Sequence, residues 1–381
     1  MNSSLRPNVG GIVSPSDLFG RDQFIDRMWD ILNRNSVVLE APRRMGKTSL
    51  LRKMSAEPPP GWEVIYLNLE DVQAVAEFAS RVLDAVRDQI HRWDQRLKHF
   101  KEFERWQGNC DTTGPWKDLL IAVVDDLCHA QEASGRRALL IFDEMPMMLE
   151  RIANSQGDQT AIEVLDLLRG IRQSNETKGV RMVFSGEVVF DQVLARLQPN
   201  SGRPLNDLHK MELGPLERAD AVELATRLMN GLRLNGDRAA ATRVADITGG
   251  IPFYIQSVVQ ELAEANVPAT PAAVDQIVRA AITALSDPFQ LRIFREHLRT
   301  YYHADEELVF AILDHLAAAE HPVSARKLFD LPNTSDEELV FEVLRRLTVD
   351  RVLNRDEEGR FFFQNPFLRE WWAHERGPVS R

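Results

Sequence analysis

The sequence predicts an α/β fold in which a parallel sheet lies between helices. Three observations lead to this prediction. Four short apolar runs indicate strands, stretches with helical spacing of apolar residues separate them, and the two kinds of segment alternate along the chain. Such alternation specifies parallel strands joined by helical crossovers. The four predicted strands are 36–41, 62–71, 138–144 and 180–187.

The predicted helices follow from periodicity and from breakers. A first helix follows Gly20, and a second begins inside the loop after the first strand and ends at a Pro-Pro-Pro-Gly run. Residues 74–106 are predicted to be mostly helical, and two more helices precede the third and fourth strands, at 115–133 and 161–174.

The strand pattern stops near residue 216. Four helical segments follow, and then three more helices and a hairpin with Glu-Gly at its tip, which is a winged-helix pattern. The predicted domains are a lead-in at 1–19, a P-loop core at 20–215, a helical lid at 216–300 and a winged-helix domain at 301–381.

Composition limits the functional classes. The 381 residues are 44% hydrophobic and 27% charged, which is typical of a soluble globular chain. The sequence has no apolar run of membrane-spanning length and no signal-peptide pattern at its start, and its two cysteines fit a reducing compartment, so we expect a cytoplasmic protein. The net charge of −11 argues against broad nucleic-acid binding driven by the whole chain.

The stretch VVLEAPRRMGKTSLLRKM, residues 37–54, carries the main motif. In the phosphate-loop pattern, backbone N–H groups surround the β-phosphate, the Lys reaches the β- and γ-phosphates, and the Ser or Thr hydroxyl binds Mg²⁺. Gly46, Lys47 and Thr48 occupy the last three positions, between a predicted strand and a predicted helix. The alternative is a chance Gly-Lys-Thr before a helix, which this context disfavours.

Ala41 replaces the first glycine of that pattern. This position makes the turn out of the strand, and alanine tolerates it where φ is negative. Pro42 also requires an extended residue before it. We therefore expect the loop to bind a nucleotide despite the substitution.

Two adjacent carboxylates end the strand LLIFDE. The carboxyl ends of parallel strands meet at one edge of the sheet, so both carboxylates are expected beside the phosphate loop. Asp143 would hold Mg²⁺ through water and Glu144 would act as general base for the attacking water. Ser185, at the end of the fourth strand, is a further candidate for sensing the γ-phosphate, with a plain strand-end serine as the alternative.

Together these residues resemble the AAA+-related P-loop ATPases of the STAND and archaeal-ATPase type, which include the relatives of Orc/Cdc6. FGRDQFIDRMWDIL resembles the family's Gly-Arg-Glu entry motif, with Asp22 in place of Glu. APRRMGKTSLL and LLIFDEMPMML are similar to its Walker A and Walker B motifs. ITGGIPFYIQ resembles its lid motif, and FFFQNPFLREWW the end of its winged-helix domain.

The resemblance implies an ATPase that binds ATP or ADP with Mg²⁺, closes its lid and winged helix on nucleotide binding, and is reset by hydrolysis. It places the entry motif and Pro252 near the base. The implied catalytic residues are Lys47, Asp143, Glu144 and Ser185, and the implied metal ligands are Thr48 and Asp143. The implied cofactor-binding residues are Gly20, Arg21, Ala41, Pro42, Arg43, Arg44, Met45, Gly46, Lys47, Thr48, Ser49 and Pro252.

An arginine from a neighbouring subunit often completes such sites. Arg169, Arg172, Arg196 and Arg203 are the candidates here, each with a surface salt bridge as the alternative role. A nucleotide-dependent homo-oligomer is therefore compatible with the sequence.

The winged helix leaves protein and DNA open as partners. Residues 301–381 carry 10 Lys and Arg against 16 Asp and Glu, and the third helix is acidic where a recognition helix would face bases. Five arginines could still form a local basic strip: Arg345, Arg346, Arg351, Arg355 and Arg360. Residues 91–106 interleave basic and aromatic side chains, which suits either single-strand stacking or a partly buried amphipathic helix.

The favoured interpretation is an AAA+/STAND-type ATPase that works as a nucleotide-controlled switch on a protein partner. A DNA-handling ATPase, similar to replication initiators or transposition regulators, is one alternative. A scaffold that binds nucleotide and turns it over slowly is another.

Overall fold

The computed structural model describes residues 5–90, 116–174, 179–186, 190–197, 205–331 and 336–376. Contacts divide the chain into two units. The sheet unit comprises the described residues of 13–43 and 47–213. The helical unit comprises those of 1–12, 44–46 and 214–381. The basic and aromatic segment 91–106 lies outside the described residues.

A five-stranded parallel sheet forms the centre of the sheet unit. Its strands pair in the order β2-β3-β4-β1-β5, and every pairing is parallel. The predicted parallel sheet is therefore confirmed. The strands are β1 (Val37–Glu40), β2 (Trp62–Asn68), β3 (Arg137–Asp143), β4 (Val180–Gly186) and β5 (His209–Glu212).

Seven described α-helices accompany this sheet: α1 (Asp22–Leu32), α2 (Lys47–Ala56), α3 (Val75–Ile90), α4 (Trp116–Ser134), α5 (Met145–Gln156), α6 (Asp158–Gln173) and α7 (Phe190–Leu197). Helices α5 and α7, like strand β5, were not predicted. Strand β5 is only four residues long and mostly exposed, so it lacks the apolar run that marks the other four strands.

The core of the sheet unit centres on β3, where six of seven residues are buried. Such continuous burial is typical of a parallel strand covered on both faces. The ring of Phe142 lies between those of Phe78 and Phe184, at centroid distances of 5.7 and 5.6 Å. Because β3 lies between β2 and β4, polar residues at the carboxyl ends of all three strands are brought together.

The helical unit holds nine described α-helices: α8 (Arg218–Gly231), α9 (Arg238–Thr248), α10 (Pro252–Glu264), α11 (Pro271–Thr283), α12 (Leu291–Tyr301), α13 (Glu306–Ala318), α14 (Ala325–Phe329), α15 (Glu337–Val349) and α16 (Pro366–Arg376). Side chains at the N-caps of three of them accept backbone N–H bonds, as these residue types commonly do. The capping residues are Asp237, Thr270 and Asp336.

Helices α13, α14 and α15 and an antiparallel hairpin form the predicted winged-helix arrangement. The hairpin strands are β6 (Leu353–Arg355) and β7 (Phe361–Phe363), and α16 follows them. The predicted lid and winged-helix regions both fall in the helical unit, so the boundary at 300/301 stays a prediction.

Among the described helices, none combines the length and the apolarity that a membrane span requires.

Trp372 anchors the core of the winged-helix region. Its side chain is fully buried, and its ring meets that of Phe310 edge to face at a centroid distance of 5.2 Å. The indole N–H donates to Asp314 Oδ1 at 2.8 Å. Helix α16 is thereby tied to α13 by both packing and a hydrogen bond.

We expect Trp372→Ala to lower the free energy of unfolding by about 3–5 kcal/mol, because it opens a large cavity and removes the donor to a carboxylate. Urea denaturation followed by circular dichroism measures this change. The control is Leu285→Ala, at a position whose side chain is 87% exposed, which should stay within about 0.5 kcal/mol of the parent. Equal stability of the two variants would contradict the assignment of Trp372 to the core.

Candidate nucleotide-binding site

The predicted phosphate loop joins β1 to α2. Gly46 has φ +84°, and among the described atoms none outside its chain neighbours lies within 4 Å of a Cβ built there. A side chain at this position would therefore be strained although space is available. Ala41 is buried and is not among the residues with positive φ, which is the condition under which alanine can replace the first glycine.

Lys47, the first residue of α2, is bonded to both predicted carboxylates. Its side chain is 8% exposed, and Nζ lies 2.9 Å from Asp143 Oδ1 and 2.5 Å from Glu144 Oε1. Burial lowers the pKa of Lys47, but the charges and hydrogen bonds of the two carboxylates outweigh burial and raise it overall. Lys47 is therefore held as a cation inside the protein.

Asp143 accepts hydrogen bonds on both carboxylate oxygens. Lys47 and Ser185 donate to Oδ1, and Thr48 and Tyr66 donate to Oδ2 at 3.0 and 2.9 Å. Burial alone raises the pKa of Asp143, but the Lys47 charge and these donors lower it below its usual value. The carboxylate thus stays ionised although it is almost fully buried.

Glu144 adopts the left-handed conformation, with φ 59° and ψ 36°, immediately before α5. This conformation is uncommon for a residue with a side chain, and such residues concentrate at functional sites. Its backbone N–H donates to Asp143 Oδ1 at 3.2 Å. The turn therefore keeps two consecutive carboxylates at the end of β3, each within hydrogen-bonding distance of Lys47.

Tyr66 was missed by sequence reasoning. It lies in β2, and its hydroxyl donates to Asp143 while the Arg52 guanidinium lies 4.8 Å from the centre of its ring. Burial, followed by the Asp143 charge, raises the pKa of Tyr66. The available signal was a polar-tipped residue near the end of a strand, but only the strand order places it beside Asp143.

The entry-motif residues and Ser49 lie in the sheet unit. Gly20 has φ +67°, and Arg21 is buried at the start of α1. Ser49 is also buried, and its Oγ accepts the backbone N–H of Val13 at 3.1 Å. In this structure the Ser49 hydroxyl thus fixes the segment that leads into α1.

Arg44 belongs to the helical unit, together with Met45 and Gly46. It has φ 73°, and its guanidinium donates to Tyr254 Oη at 2.5 Å and to the Gln290 carbonyl at 2.7 Å. The same guanidinium lies over the ring of Phe253, 4.6 Å from its centre. Arg44 is thus bound by two residues of α10 that belong to the lid motif and by the backbone before α12.

The other predicted cofactor-binding residues are distributed between the units. Arg43 is exposed, Pro42 is half-buried and Met45 is buried. Pro252 is the first residue of α10, a position where proline needs no hydrogen-bond partner for its nitrogen. The roles of these residues toward a nucleotide stay predictions.

The chemistry of the loop fits phosphate and magnesium. The N-terminus of α2 supplies backbone N–H groups that favour anions. Thr48 Oγ1 and Asp143 Oδ2 lie 3.0 Å apart, and both are the hard oxygen ligands that Mg²⁺ prefers. In the described part of the chain, no group of three or more His, Cys, Asp or Glu side chains is arranged so that it could hold a metal ion by itself. Mg²⁺ is commonly held by one or two protein ligands together with substrate phosphates, so this sparse donor set suits it.

The candidate finger arginines differ in their surroundings. The side chain of Arg172 is buried, bonded to Asp207 at 2.9 and 3.0 Å, and packed over the Phe184 ring. Its side chain therefore serves the interior of the sheet unit and is poorly placed to reach a neighbouring subunit. Arg196 is exposed and Arg169 half-buried, whereas Arg203 lies outside the described residues.

No family model and no curated protein matches the sequence. Solved structures do match its fold. The Walker-type ATPase paby2304 of Pyrococcus abyssi matches with a TM-score of 0.70 at 15% identity, over 98% of this chain and 100% of that chain. The Orc2 protein of Aeropyrum pernix, solved in ADPNP–ADP complexes, matches with a TM-score of 0.54 at 13% identity, over 98% of this chain and 96% of that chain.

At such identities the likeness concerns the fold. The resemblance inferred from the motifs is confirmed at that level, because the match extends over nearly the whole length of both chains. This chain has the fold of an archaeal Walker-type ATPase and of an Orc2 protein: a P-loop core with a parallel sheet, followed by helical lid and winged-helix regions.

Proposed function

We propose that this protein binds ATP with Mg²⁺, hydrolyses it, and uses the nucleotide state to control a protein partner. The observation that carries the proposal is the buried cluster at the end of β3. There Lys47 donates to both Asp143 and Glu144, and Thr48 donates to Asp143, so the residues of the Walker A-like loop bond directly to the Walker B-like carboxylates.

Each residue has a role that its chemistry supports. Lys47 would exchange its carboxylate partners for the β- and γ-phosphates, and Thr48 would direct its hydroxyl to the metal. Asp143 would hold the metal's water shell, and Glu144, released from Lys47, would take a proton from the attacking water. Bound Mg²⁺ would neutralise charge on the phosphates. Ser185 would keep Asp143 oriented, because its hydroxyl already donates to Oδ1.

Lys47→Met should weaken ATP binding about 10- to 100-fold, because a charged donor to phosphate is lost while the apolar stem is kept. Isothermal titration with Mg·ATP measures the affinity. The matched control is Lys53→Met in the same helix, where the ammonium bonds the Pro15 carbonyl and Glu57. That control should stay within about twofold of the parent, and similar losses in both variants would argue against Lys47 as the phosphate ligand.

Glu144→Gln should bind ATP but hydrolyse it about 10²- to 10⁴-fold more slowly, because the amide is not a base. Phosphate release and nucleotide retention are measured on the same preparations, with Glu163→Gln on the surface of α6 as control. Parent-like turnover in Glu144→Gln would show that the base is another group. If the parent itself retains stoichiometric nucleotide with negligible turnover, the slow-turnover scaffold is the correct alternative.

The winged-helix arginines favour a protein partner over DNA. Arg345 is bonded to Glu342 at 2.7 Å and Arg346 to Asp305 at 2.7 Å. In the hairpin, Arg360 is bonded to Asp356 and Glu358 at 2.7 and 3.0 Å.

A fourth arginine of the strip is also engaged, since Arg355 Nε donates to the Gly359 carbonyl at 3.1 Å. At least four of the five arginines that could have formed a basic strip therefore have partners within the domain. To contact DNA, most of these arginines would have to give up a carboxylate partner in exchange for a phosphate. The net free-energy gain from phosphate contacts, which drives DNA binding, is therefore reduced.

The N-terminus of the third helix, α15, also disfavours DNA. Asp336 caps the N-terminus of α15 by accepting N–H bonds from Glu338 and Leu339. The end of the helix that would face base edges thus presents carboxylates, which repel the DNA backbone. A protein surface is the more compatible partner, and the nucleotide state would change what this region binds.

Duplex DNA should therefore raise the ATPase rate by less than about twofold, even at low salt, where phosphate contacts are strongest. Steady-state ATPase assays with and without duplex DNA, over a range of salt concentrations, measure this effect. A strong, salt-sensitive stimulation would instead select the DNA-handling alternative. Sedimentation of the Glu144→Gln variant with ATP and with ADP separately checks the nucleotide-dependent homo-oligomer.

A further inference from the structure

Two neighbouring strands hold the Asp143 carboxylate from opposite sides. Tyr66 in β2 donates to Oδ2 at 2.9 Å, and Ser185 in β4 donates to Oδ1. Asn68, the last residue of β2, is directly in register with Asp143. The backbone pairing of β2 with β3 therefore fixes the contact between Tyr66 and Asp143, and no loop is needed to position it.

The other two side-chain donors to Asp143 come from the phosphate-binding end of α2. Lys47 donates to Oδ1 and Thr48 to Oδ2. According to the proposed function, on which this inference rests, both turn to the phosphates and the metal when a nucleotide binds. Of the described side chains that donate to Oδ2, Tyr66 alone would then keep its bond.

The arrangement around Tyr66 suits such a fixed donor. Its ring is half-buried, and the Arg52 guanidinium lies 4.8 Å from the ring centre, so the ring is packed as well as hydrogen-bonded. Oδ2 is also the oxygen that lies 3.0 Å from the Thr48 hydroxyl, and so it is the one that faces the expected metal. The Tyr66 hydroxyl occupies one lone pair of Oδ2, and this bond keeps the other lone pair directed toward the expected metal.

We propose that Tyr66 is a positioning residue that orients Asp143 Oδ2 toward the divalent cation of the nucleotide complex. Its loss should affect the metal-dependent part of nucleotide binding and leave the phosphate-dependent part unchanged. A merely structural role in β2 would weaken both parts alike, because it would disturb the phosphate loop and the carboxylate together.

The test is Tyr66→Phe, which removes one oxygen and keeps the ring. ATP affinity is measured in EDTA, and the Mg²⁺ concentration that gives half of the metal-dependent gain in affinity is then titrated. We expect the affinity in EDTA to stay within about twofold of the parent. The half-maximal Mg²⁺ concentration should rise about tenfold, because removal of an outer partner that orients a metal ligand typically weakens metal binding by about 10- to 100-fold. The unchanged affinity in EDTA also demonstrates a folded site.

Tyr302→Phe is the matched control. The Tyr302 hydroxyl also donates to an aspartate, Asp350, but it does so in the helical unit. This control should give the parent's Mg²⁺ titration. If the parent binds ATP normally, two results overturn the inference alone. One is an unchanged or lower Mg²⁺ requirement in Tyr66→Phe, and the other is an equal loss of ATP affinity with and without metal. A parent that binds no ATP in Mg²⁺ overturns the proposed function and the inference with it.

Discussion

The ionised carboxylate of Asp143 is the group on which the rest of the site depends. A buried charge is costly unless it is paired and hydrogen-bonded. Here the cation and one hydroxyl donor come from α2, and the other two hydroxyl donors come from β2 and β4. The requirement ties the end of β3 to both neighbouring strands and to the start of α2. A buried ion pair is rarely more stabilising than an apolar cluster of the same volume. We therefore attribute the cluster to function, together with the left-handed backbone of Glu144 beside it.

The sequence could predict those parts of the fold and site whose signal is local. Four strands were predictable because each is an apolar run, and Lys47, Thr48 and the Asp143–Glu144 pair were predictable because each stands inside a contiguous motif. Strand β5 was not, because its pairing with β1 supplies what its own exposed residues lack. Tyr66 was not, because its role depends on β2 lying next to β3, which no local pattern specifies.

Counting charges in the sequence answered only in part whether the winged-helix region suits DNA. The acidic balance of the winged-helix region was readable from sequence and disfavoured DNA, but five arginines could still have formed a basic strip. Whether an arginine is available depends on its neighbours in space. Arg346 illustrates this, because its partner Asp305 lies 41 positions away in the chain, and its guanidinium also packs 4.5 Å from the centre of the Tyr302 ring. Ion pairs between residues so far apart in the chain decide whether an arginine is available, and the spacing of residues in the sequence does not reveal such pairs.

The bonding of Lys47 bears on how phosphate and metal would bind together. In this structure Lys47 is the cationic partner that Asp143 and Glu144 share, so a phosphate that draws Lys47 away would leave two adjacent carboxylates without that cation. A divalent ion held by Thr48 and Asp143 would restore that charge, and each binding event would lower the cost of the other. In the proposed function this makes nucleotide and metal binding mutually supportive. Glu144 would lose its bond to the Lys47 ammonium only when a phosphate takes over that ammonium. The base would therefore become available when the substrate is in place and not before.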